Sequence, residues 1–404
     1  MPRHICAFKK KKNPALQHNT MHLEQGSTMW CGTLWTYFLI TGTRHRQKDS
    51  LTAKVENSPQ VMSRADLQKR KHLPDEIPVN PPKMPPCAYL PGPEAPPPQE
   101  YQLTLFQWQI QQEARKYEGV SPELLNMQDG DGDTCLHIAV AQGRRALAYM
   151  LASKMAVYGA LEVKEHNGQT PLQVATAANQ HLIVGDLLEH GANVNTTDLW
   201  GRSPLHICAE KGFPLCLQII WRTFSGCLQM INTEMLNFQG QTPLHVAVLS
   251  HNAVENEWRQ LAQTGTGDWH QKNELLQRKH IHVQCVEALL YMGASCGTQD
   301  LKSGYTCWHM AAEEANCQLL SIFLQRPSAM SSLDHKSFSG NTALHIVSAL
   351  QNHPTQLQAL KLLMAGGADP TARNLENELP WHLAPAGHAG DMVRQILRGQ
   401  HLDA

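Results

Sequence analysis

The chain has 404 residues, enough for two to four ordinary domains or for one long array of repeated units. Its 34 Lys/Arg against 35 Asp/Glu give a formal net charge of −1 and a pI of about 7.1, which excludes a wholly basic nucleic-acid binder. Eleven cysteines that fall singly, with no C-x-x-C pair, exclude a disulfide framework and a zinc ribbon and read as reduced thiols of a cytosolic or nuclear protein.

The near-neutral sum hides an asymmetry: residues 1–100 hold 14 Lys/Arg against 8 Asp/Glu, and residues 101–404 hold 20 against 27. A basic arm joined to an acidic body follows. Within residues 1–100, the run Lys9, Lys10, Lys11, Lys12 and the run Lys69, Arg70, Lys71 suit either an import receptor or plain solvation. Met29 to Ile40 is apolar but shorter than the roughly 18–20 residues a membrane helix needs, so no membrane segment is expected. Eleven prolines between Pro74 and Pro98 deny that stretch helix and ladder bonds, so residues 1–100 are expected to be a disordered, basic and Pro-rich arm. Residues 101–124 follow, with Leu103, Phe106, Trp108 and Ile110 at helix-like spacing, and are expected to cap the end of a repeat array.

From about residue 125 to 400 one phrase returns seven times. It reads Gly132-Asp133-Thr134-Cys135-Leu136-His137-Ile138-Ala139, then begins again at Gly168, Gly201, Gly240, Gly304, Gly340 and, degenerately, Asn377. Successive starts are 36, 33, 39, 64, 36 and 37 residues apart, a period too regular for chance. Glycine allows a positive φ at a turn, Thr or Ser caps the next helix, and Pro at the first helical position gives up no needed N–H. Paired leucines such as Leu187-Leu188 and Leu362-Leu363 mark a second helix, and Gly191-Ala192-Asn193 and Gly367-Ala368-Asp369 stop it. The 64-residue spacing leaves an insertion at about residues 253–281, expected to be a loop projecting from the array.

No catalytic or metal pattern survives inspection. Asp129-Gly130-Asp131-Gly132-Asp133 lacks the sixth-position Gly and twelfth-position Glu of a calcium loop. Cys285, beside His280 and His282, continues into an apolar helical pattern, and Gly265-x-Gly267 lacks a third glycine. No P-loop, nucleophile elbow or H-E-x-x-H occurs. The expectation is no enzyme, no cofactor, no metal and no small-molecule substrate.

T-P-L-H-x-A at a period near 33 identifies the array as resembling ankyrin repeats, which implies an all-α solenoid of six to seven helix-turn-helix units with hairpin loops. It also implies that His137, His206, His245, His309, His345 and His382 hydrogen-bond to structure rather than bind metal. The partner-binding residues are then expected at the hairpin tips: Asp131, Asp133, Asn167, Gln169, Trp200, Arg202, Phe238, Gln241, Tyr305 and Asn341. The aromatics Trp200 and Phe238 suit either a hot spot or packing against a neighbouring tip.

The opening repeat, Asp131 to Gly143, and Glu165-His166-Asn167-Gly168-Gln169-Thr170-Pro171-Leu172 in the second resemble the inhibitor-of-NF-κB (IκB) family. Asp49-Ser50 is followed by Leu51 where cytoplasmic members carry an Asp-Ser-Gly degron, and the chain ends at Ala404 without an acidic tail, which is closer to the atypical nuclear members. The resemblance implies a nuclear regulator that binds NF-κB Rel-homology dimers, preferentially those lacking an activation domain, and meets DNA only through them. The alternative is a general ankyrin adaptor unrelated to NF-κB.

Overall fold

The computed structural model describes residues 103–225, 231–265 and 268–398, and these are helical with no β-strand among them. The expected arm at 1–100, with Lys9 to Lys12 and Lys69 to Lys71, lies outside the described residues.

Each repeat is a pair of antiparallel helices, and the pairs are α3/α4 (Cys135–Ala141, Arg145–Ala156), α5/α6 (Pro171–Ala177, His181–Glu189) and α7/α8 (Pro204–Lys211, Pro214–Phe224). The fourth pair is α9/α10 (Pro243–Thr264, Trp269–Tyr291), and the fifth is α11/α12 (Cys307–Glu313, Cys317–Leu324) followed by the short α13 (Pro327–Met330). The sixth is α14/α15 (Ala343–Ala349, Gln356–Ala365), and the degenerate seventh pairs a 3-10 turn, Pro380–Leu383, with α16 (His388–Leu397). First helices stack on first helices and second on second, so α5 meets α7 and α6 meets α8.

The local code explains where each first helix begins. Thr134, Thr170, Ser203, Thr242, Thr306 and Thr342 take extended backbone at the N-cap, and the residue three positions on closes a capping box. The core runs continuously through Leu136, Leu172, Leu205, Leu244, Trp308 and Leu344, one from each first helix, all at most 1% exposed. No unit can hide its apolar face alone, and the neighbour supplies the missing wall. Trp308 is enclosed because its indole N–H reaches Ser332 Oγ at 3.1 Å and its ring meets Phe323 edge-on.

The free cysteines among the described residues pack as small apolar groups, and burial pushes the Cys285 and Cys296 thiols up to about 12, far from nucleophilic.

At the N-terminal end, α1 (Leu105–Lys116) lies against α4. Phe106 meets Tyr149 edge-on with centroids 5.7 Å apart, Arg145 sits 4.2 Å over the Phe106 ring, and Glu113 pairs with Arg144 at 3.2 Å. A four-residue helix, α2 (Pro122–Leu125), follows and buries Leu125.

One expectation is corrected. The insertion is not a loop: it lengthens both helices of the fourth repeat, to 22 residues in α9 and 23 in α10, and folds them back on each other. Two ion pairs cross the helical hairpin, Arg278 to Glu257 at 2.7 Å and Lys279 to Glu255 at 2.6 Å.

Candidate functional site

The hairpin tips are built by turns whose polar side chains are already spent. Asp198 Oδ1 accepts from the N–H of Trp200 at 2.9 Å and of Arg202 at 2.8 Å. Asp129, Glu165, Asn237 and Asn374 make equivalent side-chain bonds to N–H groups of their own turns. Burial pushes the Asp300 carboxyl up, but the N–H groups of Ser303 and Tyr305 and the Ser303 hydroxyl together hold it below its usual range. Asp129, Asp131 and Asp133 bring carboxylate oxygens within 4.8 Å of one another, but Asp129 spends its Oδ1 on the turn. His280, His282 and Cys285 are not brought to one point: His280 pairs with Gln284, and the Cys285 thiol faces the Cys208 carbonyl.

Successive tips are joined by backbone bonds. The N–H of Leu199 donates to Asn167 O at 3.2 Å, Phe238 to Trp200 O at 3.1 Å, and Leu301 to Gly240 O at 3.1 Å. Phe338 donates to Ser303 O at 3.0 Å and Leu375 to Ser339 O at 3.2 Å. These bonds hold the tips in register.

The phrase histidine adds a second set of joints. In His206, Nδ1 accepts the Ser203 N–H at 3.1 Å and Nε2 lies 3.0 Å from Gln241 O. A backbone N–H can only donate and a carbonyl oxygen only accept, so the ring is neutral with its proton on Nε2. His137, His245, His309 and His345 repeat this with the carbonyls of Gln169, Thr298, Asn341 and Glu378. Gln173 does the same work in the second repeat, with Oε1 accepting from the Thr170 N–H and Nε2 donating to Arg202 O at 2.8 Å. Burial pushes these imidazoles below their ordinary pKa, His309 to about 4. His382 is exposed and keeps only the cap, accepting from the Leu379 N–H.

The expected tip residues divide accordingly. Gln169, Gln241 and Asn341 receive a histidine on their carbonyls, and Tyr305 stacks on His309 with rings 5.3 Å apart. Arg202 is held by Asp198 and Glu210 at 2.9 Å each and lies 4.8 Å over the Trp200 ring. Asn167 bonds to Glu165. Asp131 and Asn167 are exposed, and Asp133 is half-buried. Trp200 remains 51% exposed and Phe238 79%.

What sequence reasoning missed is the apolar character of the ridge. Leu199, Phe238, Leu301, Phe338 and Leu375 occupy one position in five successive tips and are 56–79% exposed. The signal was present: each directly follows an Asp, Asn or Ser and stands two or three residues before the phrase glycine or, in the seventh unit, Asn377. Exposed apolar side chains repeated in this way, beside fixed polar groups, have the chemistry that a protein-binding surface requires.

Models of ankyrin repeats match residues 100–198, 183–256 and 339–375. NF-kappa-B inhibitor zeta of Homo sapiens is 50% identical over 299 residues, covering 74% of this chain and 41% of its own length. NF-kappa-B inhibitor delta of Mus musculus is 41% identical over 280 residues, covering 69% of this chain and 81% of its own. The solved ankyrin repeat domain of Bcl-3, described as a unique member of the IkappaB protein family, superposes with a TM-score of 0.53 at 27% identity, over 67% of this chain and all of that one. The chain thus spans well under half the length of its zeta relatives.

Proposed function

We propose a function from one premise: the chain belongs to the inhibitor-of-NF-κB family. In this reading it regulates NF-κB-dependent transcription by binding Rel-homology dimers through the tip face of its ankyrin stack. The observation that carries the reading is the match across most of an NF-kappa-B inhibitor delta chain. The exposed apolar row at the tips supports it, because non-covalent capture needs desolvated anchors rather than reactive groups.

The preferred dimers are those lacking an activation domain, DNA is met only through them, and the place of action is the nucleus. The basic runs Lys9 to Lys12 and Lys69 to Lys71 are the import signal in this reading, and the excess of acidic residues over 101–404 steers the stack towards a basic partner surface. No described helix is long and apolar enough to cross a membrane.

The test is recovery from nuclear extract on the immobilised full chain, followed by titration against each purified Rel dimer, free and on its DNA site. Co-purification of a Rel-homology subunit, weakened as salt rises, is the expected outcome. A folded bait that recovers none would return the chain to the general ankyrin adaptors.

A further inference from the structure

Stacked repeats ordinarily touch only their immediate neighbours, so an array behaves as a one-dimensional chain of local couplings. The fourth repeat breaks this rule. Its helix α9 runs on past the usual stop, and the added turns reach sideways. The Asn252 amide donates to Met310 O at 2.8 Å, and its Oδ1 accepts from Asn316 Nδ2 at 2.8 Å, both in buried surroundings of the fifth repeat. Two turns further along α9, Arg259 binds Glu314 at 2.5 Å in the turn between α11 and α12. The same guanidinium also bonds His353, in the turn between α14 and α15 of the sixth repeat. One side chain therefore joins the fourth repeat to the sixth across the fifth.

The turns it grips are ones that need holding. Ala315 is buried at φ +41°, a left-handed conformation that a residue with a Cβ rarely takes, and Asn352 stands at φ +52° in the next turn. The Thr355 hydroxyl donates to Ala315 O at 2.9 Å and so ties the two turns together directly beside Arg259 and its partners.

We propose that the helical extension of the fourth repeat is a strap that locks repeats four, five and six into one cooperative body. The tips carrying Phe238, Leu301 and Phe338 then keep a fixed mutual placement whether or not a partner is bound. This inference concerns the stack alone and does not depend on what the ridge binds.

Amide hydrogen exchange of the full chain, read by mass spectrometry, tests it. Arg259→Met removes the bridging charge while keeping the aliphatic stem, and should speed exchange in Ala343–Ala349 and Gln356–Ala365 roughly tenfold, as loss of a charged hydrogen-bond joint implies. Arg278→Gln, which breaks the pair with Glu257 inside the hairpin, should leave those helices unchanged. A cycle of Arg259→Met with His353→Ala should be strongly non-additive. Faster exchange confined to α9 and α10, or an additive cycle, would overturn the strap.

Discussion

His206 and Gln241 are joined across two repeats: the imidazole Nε2–H reaches the Gln241 carbonyl at 3.0 Å while Nδ1 accepts the N–H of its own helix cap, Ser203. One fully buried ring thus ends a helix and fastens the next tip. Gln173 performs both acts with an amide.

The first prediction follows from that equivalence. His206→Ala strands the buried Ser203 N–H, at about 1–3 kcal/mol, and leaves Gln241 O with only the Asn237 N–H, so the stack should be destabilised by roughly 2–4 kcal/mol once the lost inter-repeat bond is included. His206→Gln should lose less than half as much. Urea denaturation midpoints of the two variants check the order, and equal losses would mean that ring packing, not the two bonds, matters.

Protonation attacks the same joints. His137, His206, His245, His309 and His345 are held neutral, with burial pushing each below its ordinary value of 6.5 and His309 to about 4. In that interval the unfolded chain binds more protons than the folded one, so stability rises with pH. The contribution is complete above about pH 6.5 and is lost as pH falls towards 4. Denaturation at pH 7.5, 6 and 5 should show a steady decline, and a flat profile would contradict the neutral tautomers.

Two glycines at positive φ should respond very differently to alanine. A Cβ on Gly240, at φ +75°, would stand 2.5 Å from Leu301 Cβ and 3.0 Å from its nitrogen, where the inter-tip bond forms. Gly293, at φ +95°, has nothing within 4 Å of that position. Gly293→Ala should cost only the conformational penalty, about 1–2 kcal/mol, and Gly240→Ala at least twice that. Thermal melts of the pair would read the difference.

The ridge separates stability from binding. Phe238→Ala and Leu301→Ala remove exposed side chains, so each should alter unfolding by no more than about 0.5 kcal/mol. As anchors for a Rel dimer, each should cost about 2 kcal/mol of affinity, roughly thirtyfold. Calorimetric titration against the best-binding dimer decides, and unchanged affinity for both variants would move the interface off the ridge.

Much of this molecule was written locally. Glycine, the Thr or Ser cap, proline at the first helical position and the following leucine each constrain only a few neighbouring residues, so seven copies declared a helical repeat array without coordinates. The hydrogen-bonding role of His137, His206, His245, His309 and His345 was legible for the same reason, since their position within the phrase is fixed relative to the cap. The insertion was misread because Gln260 to Gln277 carries too little apolar periodicity to announce a helix. Its helices are secured instead by the antiparallel partner and by the Glu257 to Arg278 and Glu255 to Lys279 pairs, which no window of sequence contains. The exposure of Leu199 and Leu375, and the reach of Arg259 to His353, belong to the stack alone. Sequence chose the repeating unit because backbone preferences act over a turn or two; the tertiary structure chose the surface, because what a side chain leaves exposed depends on the neighbour that packs beside it.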